Sequence, residues 1–355
     1  MPVTIDPQKY CHDQTVVFEA GLHRDLAPHV DATGAARVLI LTTPQQSDLG
    51  HELAAQLGHR AAGMFCRAAM HTPVEVSAEA QRHLEGIGAD TVLSAGGGST
   101  IGLGKALALR CGVRQIALPT TYAGSECTPI LGQTENGVKT TMKDARLRPN
   151  VVLYDPELVA TLPVAMTVTS ALNAMAHAVE ALYAQDRTES ATELAILGLK
   201  SFAEALPAVL RRPDDLEARL ATQQGAWACG TVLGQVGMAL HHKLCHTLGG
   251  SFDLPHAETH AIVLPHATAY NQSAVEDALG PVLDIFGGAT PARGLWEFAK
   301  AQGAPMALRD LGLREADLDR AADLAVQNPY WNPKAITGPE IRALLGRAWS
   351  GEPPE

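Results

Sequence analysis

Six short apolar runs, "TVVFEA", "RVLILTT", "GMFC", "TVLSAG", "QIALPTT" and "VVLYDP", punctuate the chain before residue 158, and the strand signal then stops. Segments such as "SDLGHELAAQLG" and "VSAEAQRHLEGIG" lie between them, with apolar residues at helical spacing and a closing glycine. Such alternation builds βαβ units and a doubly wound parallel sheet of Rossmann-like α/β architecture. Beyond it, stretches such as "ESATELAILGLKSFAEALPAVLRR" read as successive amphipathic helices, so the second part is all-helical. The expected division is 1–158 for the α/β domain and 159–355 for the helical domain, with Pro156 and Pro163 bracketing the connection.

Two domains suit a chain of 355 residues, because single cores stop growing at about 250–300. A hydrophobic share of 46% with 18% charged residues excludes a disordered chain. Net charge is −11 and no Lys/Arg cluster occurs, which argues against nucleic acid as a partner. Six cysteines are scattered without a CxxC pair, so neither a disulfide framework nor a thiolate zinc site is expected, and a reducing cytoplasm is the simplest location. No basic leader precedes an apolar run, and no apolar stretch is long enough to span a bilayer, so no membrane partner is expected.

In "VLSAGGGSTIGLGKALAL", Gly96, Gly97 and Gly98 stand between a strand and a helix, where backbone amides can approach a pyrophosphate. Ser99 and Thr100 are placed either to cap that helix or to donate hydroxyls to phosphate. The spacing is neither GxGxxG nor Walker A, and a plain tight turn satisfies it equally. The next strand end, "ALPTTYAGSE", adds Thr120, Thr121 and Ser125 as small donors at an adjacent edge, which favours a ligand crevice. Lys105 reads as a helix-face charge.

"HHKLCHTLGGSFDLPH" holds four histidines, with His242 and His246 one helical turn apart and His256 beyond a glycine-containing turn. Three imidazoles suit a metal, yet histidines also act as core residues, proton donors and anion binders. In "SALNAMAHAVEAL", Asn173 and His177 share a helix face. A carboxylate at 173 would complete a three-histidine, one-carboxylate site, whereas asparagine offers only a neutral carbonyl. His241, His260 and His266 read as structural.

Taken in order, these motifs resemble the iron-containing alcohol dehydrogenase superfamily over nearly the whole chain, which implies its dehydroquinate synthase-like fold. The family's GGGS matches Gly96 to Ser99, and its PTT and GSE match Pro119 to Thr121 and Gly124 to Glu126. Its DAxxHAxE helix appears here as "NAMAHAVE" from Asn173 to Glu180. HxxxHxLG and PH match His242, His246, Leu248, Gly249, Pro255 and His256, which puts His242 and His256 at ligand positions and His246 at a catalytic one. With Asn173 in place of the ligand Asp, and with "LPTTYAGSE" and "NPYWNP", the chain looks like the branch of maleylacetate reductases, which work without the iron. Glu19 stands where relatives often have glycine. Thr43 stands where many carry an Asp that holds the adenosine ribose, so NADPH is expected to serve beside NADH.

The resemblance implies reduction of the C=C bond of maleylacetate to 3-oxoadipate in aromatic degradation, with reductive dechlorination of 2-chloromaleylacetate as an extension. No metal is expected, and the partners implied are a small dicarboxylate substrate and a second copy of the chain, paired through "TVVFEAG". His246 and His242 are the expected oxyanion donors and proton source, with His256 and His177 in support and Tyr122 as a further donor. Asn173, Tyr330, Asn332, Lys334 and Lys243 are the expected substrate contacts, and Lys139 falls near the nicotinamide ribose. The rival readings are a metal-dependent alcohol dehydrogenase and a catalytically silent nucleotide-binding scaffold.

Overall fold

The computed structural model describes residues 5–135 and 138–355. Its contacts divide the chain into two compact units. Asp6–Leu162 joins Asp214–Gln223 in one, while Pro163–Pro213 and Gln224–Glu355, with Ile5, form the other.

Among the described residues the first unit holds eight strands: β1 (Thr15–Phe18), β2 (Val38–Leu41), β3 (Ala61–Phe65), β4 (Thr91–Gly96), β5 (Arg114–Pro119), β6 (Ile130–Glu135), β7 (Val138–Lys143) and β8 (Val151–Tyr154). Six of them form a parallel sheet in the order β1-β8-β5-β4-β2-β3, and these are the six runs read from the sequence. Helices α1 (Ala27–Thr33), α2 (Ser47–Leu57), α3 (Val74–Ile87) and α4 (Gly98–Cys111) lie between successive strands of the sheet, and α5 (Pro156–Ala160) follows β8. Successive side chains of a strand point to opposite faces. Val38 and Ile40 therefore join Leu93, Ile116 and Leu153 in one core, while Leu39 and Leu41 join Val92, Leu103 and Leu107 in the other. Both faces are covered, which is why these strands read as continuous apolar runs and not as alternating ones.

The antiparallel pair β6 and β7 was absent from the sequence reading. Its signal was the Asn136–Gly137 dipeptide between two alternating runs, a typical hairpin sequence. Helix α4 packs tightly on the sheet through Gly104, where an added Cβ would collide with Ser94 Oγ and Gln115 Nε2. Gln115 Nε2 cannot give way without losing its buried bonds to Ser94 Oγ and the Ile101 carbonyl, both 3.1 Å. Gly104→Ala is therefore expected to cost about 1–3 kcal/mol, read as a lowered melting temperature in calorimetry.

The second unit is built from helices: α6 (Val164–Leu182), α7 (Glu189–Arg211), the later part of α8 (Leu216–Gln235), α9 (Leu240–Phe252), α10 (His256–Gln272), α11 (Glu276–Phe286), α12 (Pro291–Ala301), α13 (Leu318–Val326) and α14 (Gly338–Ser350). Every residue of α6 from Thr167 to Leu182 is buried, and five of them are alanine, so neighbouring helices close on it from all sides. One core joins Leu240, Leu244 and Leu248 of α9 to Ile262 and Val263 of α10 and to α13 and α14. None of the described helices is long and apolar enough to cross a membrane.

Candidate active site

Two groups of candidate side chains stand out, one in each unit. In the first, the connections from β2 run outward to β3 and back across to β4, so a switch point lies beyond the carboxyl ends of β2 and β4. Gly96 to Thr100 sit there. Gly97 is the N-cap of α4, and no side chain caps the helix, which corrects the capping role read for Ser99 and Thr100. Both fall in the first turn, and Thr100 is buried with its hydroxyl unpartnered among the described residues. A Cβ on Gly97 would meet Thr121 Oγ1 at 3.1 Å, while one on Gly98 would meet nothing within 4 Å. The start of this 14-residue helix is thus open at its positive end, a place suited to a pyrophosphate.

The neighbouring turn is tied to it, because Thr120 N–H donates to the Gly96 carbonyl at 3.1 Å. Thr120 Oγ1 accepts from Gln46 Nε2 at 3.0 Å, which joins this edge to the end of β2, where Thr43 precedes a short 3₁₀ turn. No sequence signal pointed to Gln46. Lys105 departs from its reading as a surface charge. It is fully buried and donates to the carbonyls of Ser125 and Ile130, at 2.5 and 2.8 Å, and to Thr128 Oγ1 at 2.9 Å. Burial pulls its ammonium pKa down to about 7, opposed by the Glu126 carboxylate, while three acceptors match its three N–H bonds. Glu126 is itself buried and accepts from Tyr154 Oη at 2.7 Å.

Tyr122 also needs correction as a proton donor. It is fully buried, and its hydroxyl packs against Thr222 Oγ1 at 2.9 Å and Arg219 Nη1 at 3.2 Å, so it pins the segment 214–223. Backbone pairing puts Lys139 opposite Thr134 in β7, but its side chain lies outside the described residues.

In the second unit, six histidines from three helices meet. The ring centres of His177 and His242 are 5.2 Å apart, those of His242 and His246 6.1 Å, and those of His242 and His260 5.1 Å. His241 lies 5.1 Å from His242, and His256 lies 4.2 Å from His260. His246 and His256 are exposed, while His177, His241, His242 and His260 are buried, so the cluster runs from a wet rim to a dry floor. His241 and His260, read as structural, belong to it; only their burial had to be known. His266 remains apart, against Arg347.

Burial first, and then repulsion between imidazoles, pulls the pKa values of His177, His242 and His260 well below the ordinary histidine value, and that of His241 down to about 4. The floor is therefore neutral near pH 7. Asn173 shares it, with Oδ1 buried and unpartnered among the described residues, as are His177 Nδ1 and His242 Nε2. Two triplets, Glu180–His241–His242 and His241–Cys245–His260, bring possible ligand atoms within 4.8 Å of one another.

Sequence reasoning carried Glu180 only as the end of the "NAMAHAVE" match and gave it no role, although its place three residues after His177 and seven after Asn173 puts all three on one face of α6. It is 1% exposed and bonds to Ala239 N, His241 N and His242 Nδ1 at 2.9, 2.7 and 2.7 Å. Tyr330 Oη lies 2.9 Å from His246 Nδ1, so the loop named by "NPYWNP" does reach the rim. Two residues of that loop are otherwise engaged. Asn332 spends its amide on Leu240 N, Asn271 and the Lys334 carbonyl, and Lys334 pairs with Glu340 at 3.0 Å beside the Tyr270 ring. Both therefore also support the loop. Lys243 is half-buried, and burial lowers its pKa.

A doubly wound parallel sheet with a glycine turn at its switch point, followed by an all-helical unit lined with histidine, defines a dehydrogenase-type architecture. Residues 13–156 match the family described as iron-containing alcohol dehydrogenase, and residues 167–349 match the C-terminal part of the same family. The maleylacetate reductase of Rhizobium sp. is 55% identical over 96% of this chain and 97% of its own. That of Burkholderia cepacia is 48% identical over 96% of each. The crystal structure of maleylacetate reductase from Agrobacterium tumefaciens superposes with a TM-score of 0.94 at 55% identity, covering 96% of this chain and 97% of that one. The chain belongs to the iron-containing alcohol dehydrogenase family, and within it to the maleylacetate reductases.

Proposed function

We propose that this chain reduces the carbon–carbon double bond of maleylacetate to 3-oxoadipate, with NADH or NADPH as reductant. Relatives named for that activity, at 55% and 48% identity over almost the whole chain, support the reading. The observation that carries the chemistry is Asn173: a neutral amide, buried with its oxygen unpartnered, where a carboxylate would be needed to anchor a metal.

When bound, the reduced nicotinamide supplies a hydride to the alkene carbon β to the ketone, and the electron pair moves to the ketone oxygen as an enolate. His246, exposed at the rim and held by Tyr330, hydrogen-bonds that oxygen. His242, His177, His256 and Asn173 line the floor and rim around the substrate. Gly96, Gly97, Gly98, Ser99 and Thr100, with Thr120, Thr121 and Ser125, hold the dinucleotide. Thr43 carries no charge to repel a 2′-phosphate, which supports use of NADPH as well as NADH.

Iron must be tested against these donors. Asn173 Oδ1 and the imidazoles of His177, His242 and His256 are all neutral ligands, so a buried dication would lack any anion in direct contact. The set does not fit a tightly held iron. One observation favours the rival metal reading: Glu180 stands behind His242 as carboxylates stand behind metal-bound histidines. The two readings separate in an assay of NADH oxidation by maleylacetate, with and without EDTA, alongside metal analysis. Equal rates with far less than one ion per chain support metal-free reduction. Activity lost to EDTA and restored by iron supports the alternative.

We also propose a homodimer, joined where β1 leaves one edge of the sheet open, and a cytoplasmic location, in keeping with six free cysteines.

A further inference from the structure

We infer that Glu180 is a positioning residue that fixes His242 as its Nδ1–H tautomer, so that the neutral ring meets the substrate with the lone pair of Nε2. Each Glu180 oxygen already faces a main-chain N–H. Oε2 accepts from Ala239 at 2.9 Å and Oε1 from His241 at 2.7 Å, at the start of α9, where no other side chain caps the helix. Amides only donate, and a helix start favours the anion, so Glu180 meets His242 Nδ1, at 2.7 Å, as an acceptor. The proton of that bond therefore sits on His242 Nδ1.

A second contact leads independently to the same tautomer. His241 Nε2 lies 3.1 Å from the His260 carbonyl, which only accepts, so His241 carries its proton on Nε2 and a lone pair on Nδ1. That bare Nδ1 is 3.4 Å from His242 Nδ1. Two bare nitrogens would repel at this distance, whereas a proton on His242 Nδ1 satisfies both neighbours. The same proton on His241 Nε2 argues against His241–Cys245–His260 as a ligand triplet.

His242 Nε2 is left buried and unpartnered among the described residues, with the rings of His177 and His260 about it. The inference rests on the enone reduction proposed above for its catalytic meaning. Each hydride added must be matched by one proton delivered from solvent to the carbon next to the ketone. His242 Nε2, a bare acceptor on a ring that stays neutral, can hold the carrier of that proton in place by accepting its hydrogen bond, while Glu180 keeps the ring's own proton on Nδ1. His246 remains the donor to the enolate oxygen, so the two histidines of one helix turn divide the work.

The test uses the full chain labelled with ¹⁵N-histidine, with the His242 signals assigned by their loss in His242→Gln. The wild type is expected to show a protonated Nδ1 and a bare Nε2, and Glu180→Gln a mixture of tautomers or the reverse. With maleylacetate, Glu180→Gln should lower kcat about 100-fold while the Kd for NADH stays within about twofold, and Glu180→Asp should recover part of the loss. A wild-type His242 protonated on Nε2 overturns the inference, as does a kcat in Glu180→Gln within about threefold of wild type. The tautomer is read without maleylacetate, so failure of the proposed reaction and failure of the tautomer assignment are separate results.

Discussion

His246→Ala lowers turnover of maleylacetate about 100-fold or more while NADH binding stays close to wild type. Of the histidines on α9 it is the exposed one, at the rim of the cluster, and Tyr330 Oη fixes its ring through Nδ1 at 2.9 Å. A donor held in place before charge develops on an oxygen is typically worth about 3–4 kcal/mol in the transition state, which corresponds to the loss expected. Because the side chain is exposed, truncation leaves no cavity in the core and stability should hardly change. Steady-state kinetics beside a thermal melt checks both halves. A fall in kcat under about threefold with an intact fold excludes His246 as the donor to the enolate.

Lys105→Met is expected to have the largest effect on stability. Methionine nearly keeps the volume, but it removes the three N–H donors that gather Ser125 O, Thr128 Oγ1 and Ile130 O, and it strips the buried Glu126 of a nearby cation. Losing one partner of a buried charged pair costs about 3–5 kcal/mol. For a unit of this size that lowers the melting transition by roughly 10 °C. The Ser125 turn should loosen as well, so NADH should bind more weakly, measured by fluorescence titration. A variant melting within about 3 °C of wild type would mean that the ammonium is not what holds this turn.

The six sheet strands were legible because a parallel sheet buried on both faces demands uninterrupted apolar runs, and the closing glycines of α2 and α3 marked where its helices stop. His242, His246 and His256 were legible because helical spacing and a short turn constrain them locally. What escaped depends on helices meeting. Glu180 becomes a partner of His242 only when α6 packs beside the start of α9, and His241 and His260 join the cluster only when α10 lies across it. Lys105 was misread for a related reason: a charge on a helix looks solvated until the loop that covers it is known. The internal partners of Asn332 and Lys334, Asn271 and Glu340, were not legible, because they lie about 60 and 6 residues away in sequence and carry no local sign.

The four hydrogen bonds of Asn332 have a bearing on how this enzyme can evolve. They fasten the loop at one point to the start of α9 and to α10, while the side chains just before it, Tyr330 and Trp331, are 38% and 41% exposed. New aromatic or aliphatic residues can be sampled at Trp331 without disturbing the anchor that steadies the histidines. Variation at this fingertip should accordingly alter the rim of the histidine cluster, while the knuckle beneath it stays the same.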